Sequence, residues 1–165
     1  MMRSVCRIAL LACVSVLSLA AQSTIFVSRH ADRYGTEPDP DLTRAGKRQA
    51  EALSRLLADA NVTHIYTTEL SRTRQTAAPT ARHAKVKPVV IPQAEFNELI
   101  RRVRATLRPG ESTLIVGHRQ TVPRIVAALA GKKIEPLGPS EYGRLIAITL
   151  FPDGKASIVT LRYAE

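Results

Sequence analysis

Tryptophan is absent from this 165-residue chain, and aromatic residues of all kinds make up only 4% of it. A platform for stacking nucleic-acid bases needs exposed aromatic rings, so the composition argues against one. Cysteine is almost as scarce. The only two, Cys6 and Cys13, lie in the first twenty residues. If that leader is removed, what remains can form no disulfide and use no thiol chemistry. No low-complexity run and no internal repeat interrupts the chain. Apolar residues account for 45% and charged residues for 23%, a globular balance with room for one domain and its core.

The leader has its own pattern. Arg3 and Arg7 precede Ile8–Ala21, an uncharged and mostly apolar run, and Ser18-Leu19-Ala20 fits a small-x-small cleavage site. Residues 1–20 therefore read as a secretory signal peptide, followed by one domain over 22–165. The expected location is outside the cytoplasm, periplasmic or secreted, with no membrane association after cleavage. Two other readings of the leader are an anchor through residues 8–21 and a lipid at Cys13 after Leu10-Leu11-Ala12. The apolar run falls short of the roughly 20 residues that span a bilayer.

Acidic residues are also under-represented. The formal charge is +10, of which Arg3 and Arg7 supply two, leaving +8 on the rest. Such a chain favours anionic partners. Solvated helix faces explain part of the excess, as for Arg101, Arg102, Arg104 and Arg108 around the apolar stripe Leu99, Val103 and Leu107.

What is present alternates between two periods. Thr24–Ser28, Val62–Tyr66, Val89–Ile91 and Thr113–Val116 are short β-rich runs. Between them lie helical stripes: Ala50, Leu53, Leu57 and Ala60 after the capping Thr43, then Ser71 to about Arg82, then Leu99, Val103 and Leu107. Val122, Ile125, Val126 and Leu129 mark a fourth helix, with Pro123 tolerated in its first turn. Leu145–Leu150 and Ala156–Leu161 flank Pro152-Asp153-Gly154, a hairpin signal. The pattern predicts an α/β fold: a three-layer α/β/α sandwich with a mixed, mostly parallel central sheet and a C-terminal β-hairpin.

In such sheets ligands bind beyond the carboxyl ends of the strands. Arg29-His30 follows the first strand, Gly117-His118 follows the fourth, and Arg72 opens the helix after the second. Two histidines and two arginines make a poor metal site. They suit a phosphoryl group, because guanidinium binds phosphate oxygens bidentately and a neutral imidazole is a nucleophile. The expected partners are phosphorylated small molecules or phosphoproteins, without nucleic acid, metal or cofactor. Arg82-His83-Ala84 repeats the tripeptide Arg29-His30-Ala31, yet no strand precedes it, so it reads as basic surface. His64 has no basic partner nearby.

Four segments together resemble a known family. They are Arg29-His30-Ala31, Leu42-Thr43-x-x-Gly46-x-x-x-Ala50, Tyr66-Thr67-Thr68-Glu69-Leu70-Ser71-Arg72-Thr73-Arg74-Gln75-Thr76 and Val116-Gly117-His118. In this order they resemble the histidine phosphatase superfamily, also called phosphoglycerate mutase-like, in a small capless form. The resemblance implies that His30 is the phosphorylated nucleophile. It also implies that Arg29 and Arg72 pair to bind phosphate, and that His118 is the second pocket histidine. The implied activity is metal-independent hydrolysis of phosphomonoesters or a phosphoprotein through phosphohistidine. The alternatives are a phosphate- or phosphoprotein-binding module without turnover and a phosphomutase. A proton donor is harder to place. Glu98 is the candidate general acid, with Glu95 and Asp32 as lesser ones. Arg119, directly after His118, departs from the family's usual small or polar residue.

Overall fold

A computed structural model describes residues 22–35 and 38–164, so the leader, with its signal-peptide and anchor readings, lies outside the described residues. Among the described residues no helix is long and apolar enough to cross a membrane.

The elements follow the predicted order. They are β1 (Ser23–Arg29), α1 (Arg44–Leu56), β2 (Val62–Thr67), α2 (Ser71–Ala84), β3 (Val89–Val90) and α3 (Phe96–Thr106). Then come β4 (Ser112–Gly117), α4 (Thr121–Ala130), β5 (Arg144–Leu150) and β6 (Ala156–Arg162). The strands form one sheet in the order β3-β2-β4-β1-β5-β6. The first four run parallel, while β5 pairs antiparallel with β1 and β6 antiparallel with β5. The closing hairpin therefore extends the sheet as an antiparallel edge.

Alternation along each strand splits the core in two. Ile25, Val27, Tyr66, Ile115, Ile146 and Ile148 point to the layer of α3 and α4. Ile65, Leu114, Val116 and Leu145 point to the layer of α1 and α2, where Leu53, Leu57 and Ala77 meet them. Central β4 is buried along its whole length, as a parallel strand covered on both faces must be.

The differences from expectation are small and have local causes. α2 runs past Arg82 to Ala84 and stops where Lys85 takes a left-handed conformation, φ 56°. Leu107 lies just outside α3, as its extended C-cap, yet still packs on the core. Ile91 leaves β3 but remains buried, its N–H donating to the Thr67 carbonyl at 2.9 Å.

Two glycines decide how helices meet the carboxyl edge. A Cβ on Gly46 would lie 1.9 Å from the Asp32 carbonyl oxygen, so α1 can approach the loop after β1 only with glycine there. A Cβ on Gly117 would lie 2.8 Å from the Thr121 hydroxyl, which the turn into α4 brings back over β4.

Candidate active site

Register brings the first two site segments together. β1 and β4 are neighbours, Arg29 pairs with Gly117, and the His30 N–H donates to the Gly117 carbonyl at 2.9 Å. His30 and His118 thus leave adjacent strand ends side by side, their ring centroids 5.4 Å apart. Both are only 4% exposed.

Each imidazole is fixed from behind. His30 Nδ1 lies 2.8 Å from the Ala31 carbonyl, which can only accept, so Nδ1 carries the proton and Nε2 keeps its lone pair. Burial pushes the His30 pKa down to about 3, helped by the positive charges around it. The ring is neutral at ordinary pH, the state a nucleophile needs. Burial, with Arg72 next in weight, pushes His118 down to about 4. Its backbone N–H donates to the Thr121 hydroxyl at 2.8 Å, and its Nε2 contacts the Thr68 hydroxyl at 3.1 Å.

The arginines are held by carbonyls. Arg29 Nη1 donates to Gly138, Pro139 and Glu141 at 3.1, 2.9 and 3.0 Å, and the guanidinium stacks on the Tyr142 ring at 4.1 Å. Glu141 in turn closes that loop, accepting from the Gly138 N–H and pairing with Arg144 and Arg162. Arg72 Nη1 donates to the Pro38 carbonyl and lies 3.7 Å from Asp39. Both guanidinium Nε groups are buried, and neither has a partner among the described residues. A buried unpaired donor is costly, and two of them near a neutral imidazole suit an oxyanion.

One threonine ties this arrangement together. Thr76 donates to the Arg72 carbonyl at 2.7 Å and accepts from the Ala31 N–H at 2.9 Å. The helix carrying Arg72 and the loop carrying His30 therefore share one hydroxyl. The motif at the start of α1 is structural. Thr43 caps the helix by accepting from the Gly46 N–H, and it donates to Asp32 at 2.8 Å. Gln49 accepts from the Asp32 N–H.

The cleft has a volume of about 560 Å³ and is lined by Arg29, His30, Arg72 and His118. Glu98 is not part of it. Glu98 accepts from Arg101 and Arg102 on its own helix at 2.6–2.8 Å, and these bonds hold its carboxyl down at about 2. An acid so stabilised as its anion has no proton to give, so Glu98 is a helix ion pair rather than a proton donor. Asp32 is occupied by Thr43, and Glu95 is exposed at the start of α3. His83 is exposed at the end of α2, and Arg82 beside it pairs with Glu51. His64 contacts Thr63 and lies 4.0 Å from Glu111.

The structure adds residues that the motifs did not single out. Arg33, Gln93, Gln120, Thr121 and Arg124 line the cleft, and Arg119 does so too. Thr121 had a readable signal, a hydroxyl three residues after His118 at a helix start. The carbonyls of 138–141 had none.

No curated protein matches the chain in sequence. Solved structures do match in fold. A mycobacterial glucosyl-3-phosphoglycerate phosphatase superposes with a TM-score of 0.69 at 12% identity, over 87% of this chain and all of that one. The protein histidine phosphatase SixA, solved with tungstate, gives 0.68 at 16%, over 84% of this chain and 96% of that one. The alpha-ribazole phosphatase of Shigella flexneri gives 0.66 at 18%, with the same coverage. The family model described as histidine phosphatase superfamily (branch 1) matches residues 25–100, which carry Arg29, His30 and Arg72. Over residues 25–100 the chain is thus similar to the histidine phosphatase superfamily, and it shares the fold of these phosphatases across the domain.

Proposed function

We propose that this protein is a metal-independent phosphatase that works through a phosphohistidine on His30. The observation that carries the reading is the pair of buried, unpartnered guanidinium Nε groups beside a neutral imidazole whose Nδ1 proton is anchored. In the first step His30 Nε2 attacks phosphorus and the bond to the leaving group breaks. Arg29, Arg72 and His118 hold the equatorial oxygens, where charge builds. In the second step water attacks the phosphohistidine, orthophosphate departs and Nε2 regains its lone pair. The proton stays on Nδ1, hydrogen-bonded to the Ala31 carbonyl throughout, so the ring keeps its tautomer.

The substrate class follows from what surrounds the leaving group. No described carboxylate lines the cleft. This favours leaving groups that depart without a carboxylic acid's proton, such as an acidic alcohol or a phosphorylated side-chain nitrogen. The likeness to a protein histidine phosphatase supports the second, and the likeness to two small-molecule phosphatases supports phosphomonoesters. With the signal-peptide reading of the leader, the proposed site of action is outside the cytoplasm.

The same lack of a carboxylic acid supports one rival, a phosphate- or phosphoprotein-binding module without turnover. The deciding experiment is turnover of an activated aryl phosphate in the presence of a chelator, with acid-labile phosphoenzyme trapped by rapid quench. We expect turnover that survives the chelator, and a phosphoenzyme that disappears in His30→Ala. Binding of phosphate with neither turnover nor a trapped intermediate would establish the binding module instead.

A further inference from the structure

Outside the residues that hold the phosphoryl group, the cleft has a second wall of arginines. Arg33, Arg119 and Arg124 line it, and no described carboxylate does. None of the three forms an ion pair among the described residues. Among the described residues Arg33 donates only to the uncharged backbone carbonyls of Tyr34 and Gly35. Arg124 stacks on the Phe96 ring at 4.3 Å, which fixes it at the cleft edge. Arg119 is bonded directly to His118, so its reach from the phosphoryl cradle is short. The charges of Arg119 and Arg33 already bear on Arg29, lowering its pKa beyond the effect of burial.

Gathering three more cations around Arg29 and Arg72 works against folding through like-charge repulsion. A phosphoryl dianion is already met by the inner pair. The basic groove between α1 and α2 is different, because Glu51 lies among its arginines and Lys47. Among the described residues, Pro139 is the only apolar side chain lining the cleft. The wall therefore does not suit an apolar leaving group.

We infer that Arg119 and Arg124, with Arg33, form a second anion subsite, and that the preferred substrate carries a second phosphate or carboxylate on its leaving-group side. Guanidinium binds either group bidentately. As a statement about substrate it rests on the phosphatase reading. As a statement about binding it stands apart, and the test uses that separation.

The test compares binding of two non-hydrolysable probes, propane-1,3-diphosphonate and propylphosphonate, by titration calorimetry at fixed salt. The wild type should bind the diphosphonate about tenfold more tightly or better. The double variant Arg119→Gln/Arg124→Gln should close that gap, whereas Lys47→Gln/Arg48→Gln on α1 should leave it. The probe 3-phosphonopropionate separates the two anions. Binding as tight as the diphosphonate assigns the subsite to anions at large, and binding no better than propylphosphonate assigns it to phosphate. Equal affinity of the two phosphonates in the wild type overturns the inference. So does a gap that survives in the Arg119/Arg124 variant, or one that the α1 variant closes equally. Failure of the phosphatase reading shows differently, as a binding gap without turnover of any phosphomonoester.

Discussion

The tripeptide Arg-His-Ala occurs twice in this chain, and the two copies share almost nothing else. Arg29-His30-Ala31 ends a buried strand at the centre of the sheet. Arg82-His83-Ala84 ends a helix in solvent. In the first copy burial makes the imidazole neutral, a carbonyl fixes its tautomer, and the arginine is held by three carbonyls and a tyrosine face. In the second the arginine makes one exposed pair with Glu51. Identical residues acquire different chemistry because burial and fixed dipoles set protonation and direction.

The comparison can be broken by substitution. His30→Ala should lower kcat/KM for an aryl phosphate by roughly 10³-fold or more, because the covalent route is lost. His83→Ala should leave kcat/KM within error, and a comparable loss there would remove the distinction between the copies. Arg72→Ala should cost about 10²- to 10³-fold in kcat, as loss of one preorganised donor does. Arg82→Ala should change neither rate nor, beyond about 0.5 kcal/mol, stability.

The support of the first copy can be broken as well. Gly46→Ala places a methyl against the Asp32 carbonyl, two residues after His30. We expect a loss of about 1–3 kcal/mol in denaturant unfolding, the range for an overpacked contact. An unchanged midpoint would show that α1 can withdraw without cost.

Acidification sharpens the contrast. Unfolded histidine binds a proton near pH 6.5, whereas folded His30 and His118 do so only near 3 and 4. The unfolded state thus binds more protons across that window, and stability falls as pH drops from 6.5 towards 3. His30→Asn should flatten this loss in thermal unfolding between pH 7 and 4, while His83→Asn should not. By the same reasoning the acid limb of kcat/KM, corrected for the substrate's own ionisation, should lie near pH 4 or below. A limb at 6.5 would mean that His30 is solvated in the free enzyme.

Most of the fold was legible because its signals are local. Short β-rich runs marked the strands, apolar stripes marked the first, third and fourth helices, and Thr43 marked a cap that the structure shows. Boundaries slipped where one backbone angle decided them, as at Lys85 and Leu107. The inner pocket was legible in part. Arg29, His30, Arg72 and His118 sat at strand ends and a helix start, which a parallel sheet brings to one edge. Glu98 misled although its partners were local: Arg101 and Arg102 follow it at three and four residues, the spacing that pairs charges along one helix face.

By itself the sequence determined the alternation of strands and helices, the residues proposed to bind and accept a phosphoryl group, and which Arg-His-Ala copy follows a strand. The tertiary structure alone decided the protonation of His30, the unpaired Nε donors of Arg29 and Arg72, and the arginine wall formed by Arg33, Arg119 and Arg124. The division has a physical cause. Hydrophobic period and capping act between residues a few places apart. Desolvation and hydrogen-bond direction instead depend on groups that meet only when distant segments such as 29–33, 72–76, 118–124 and 138–142 are folded together.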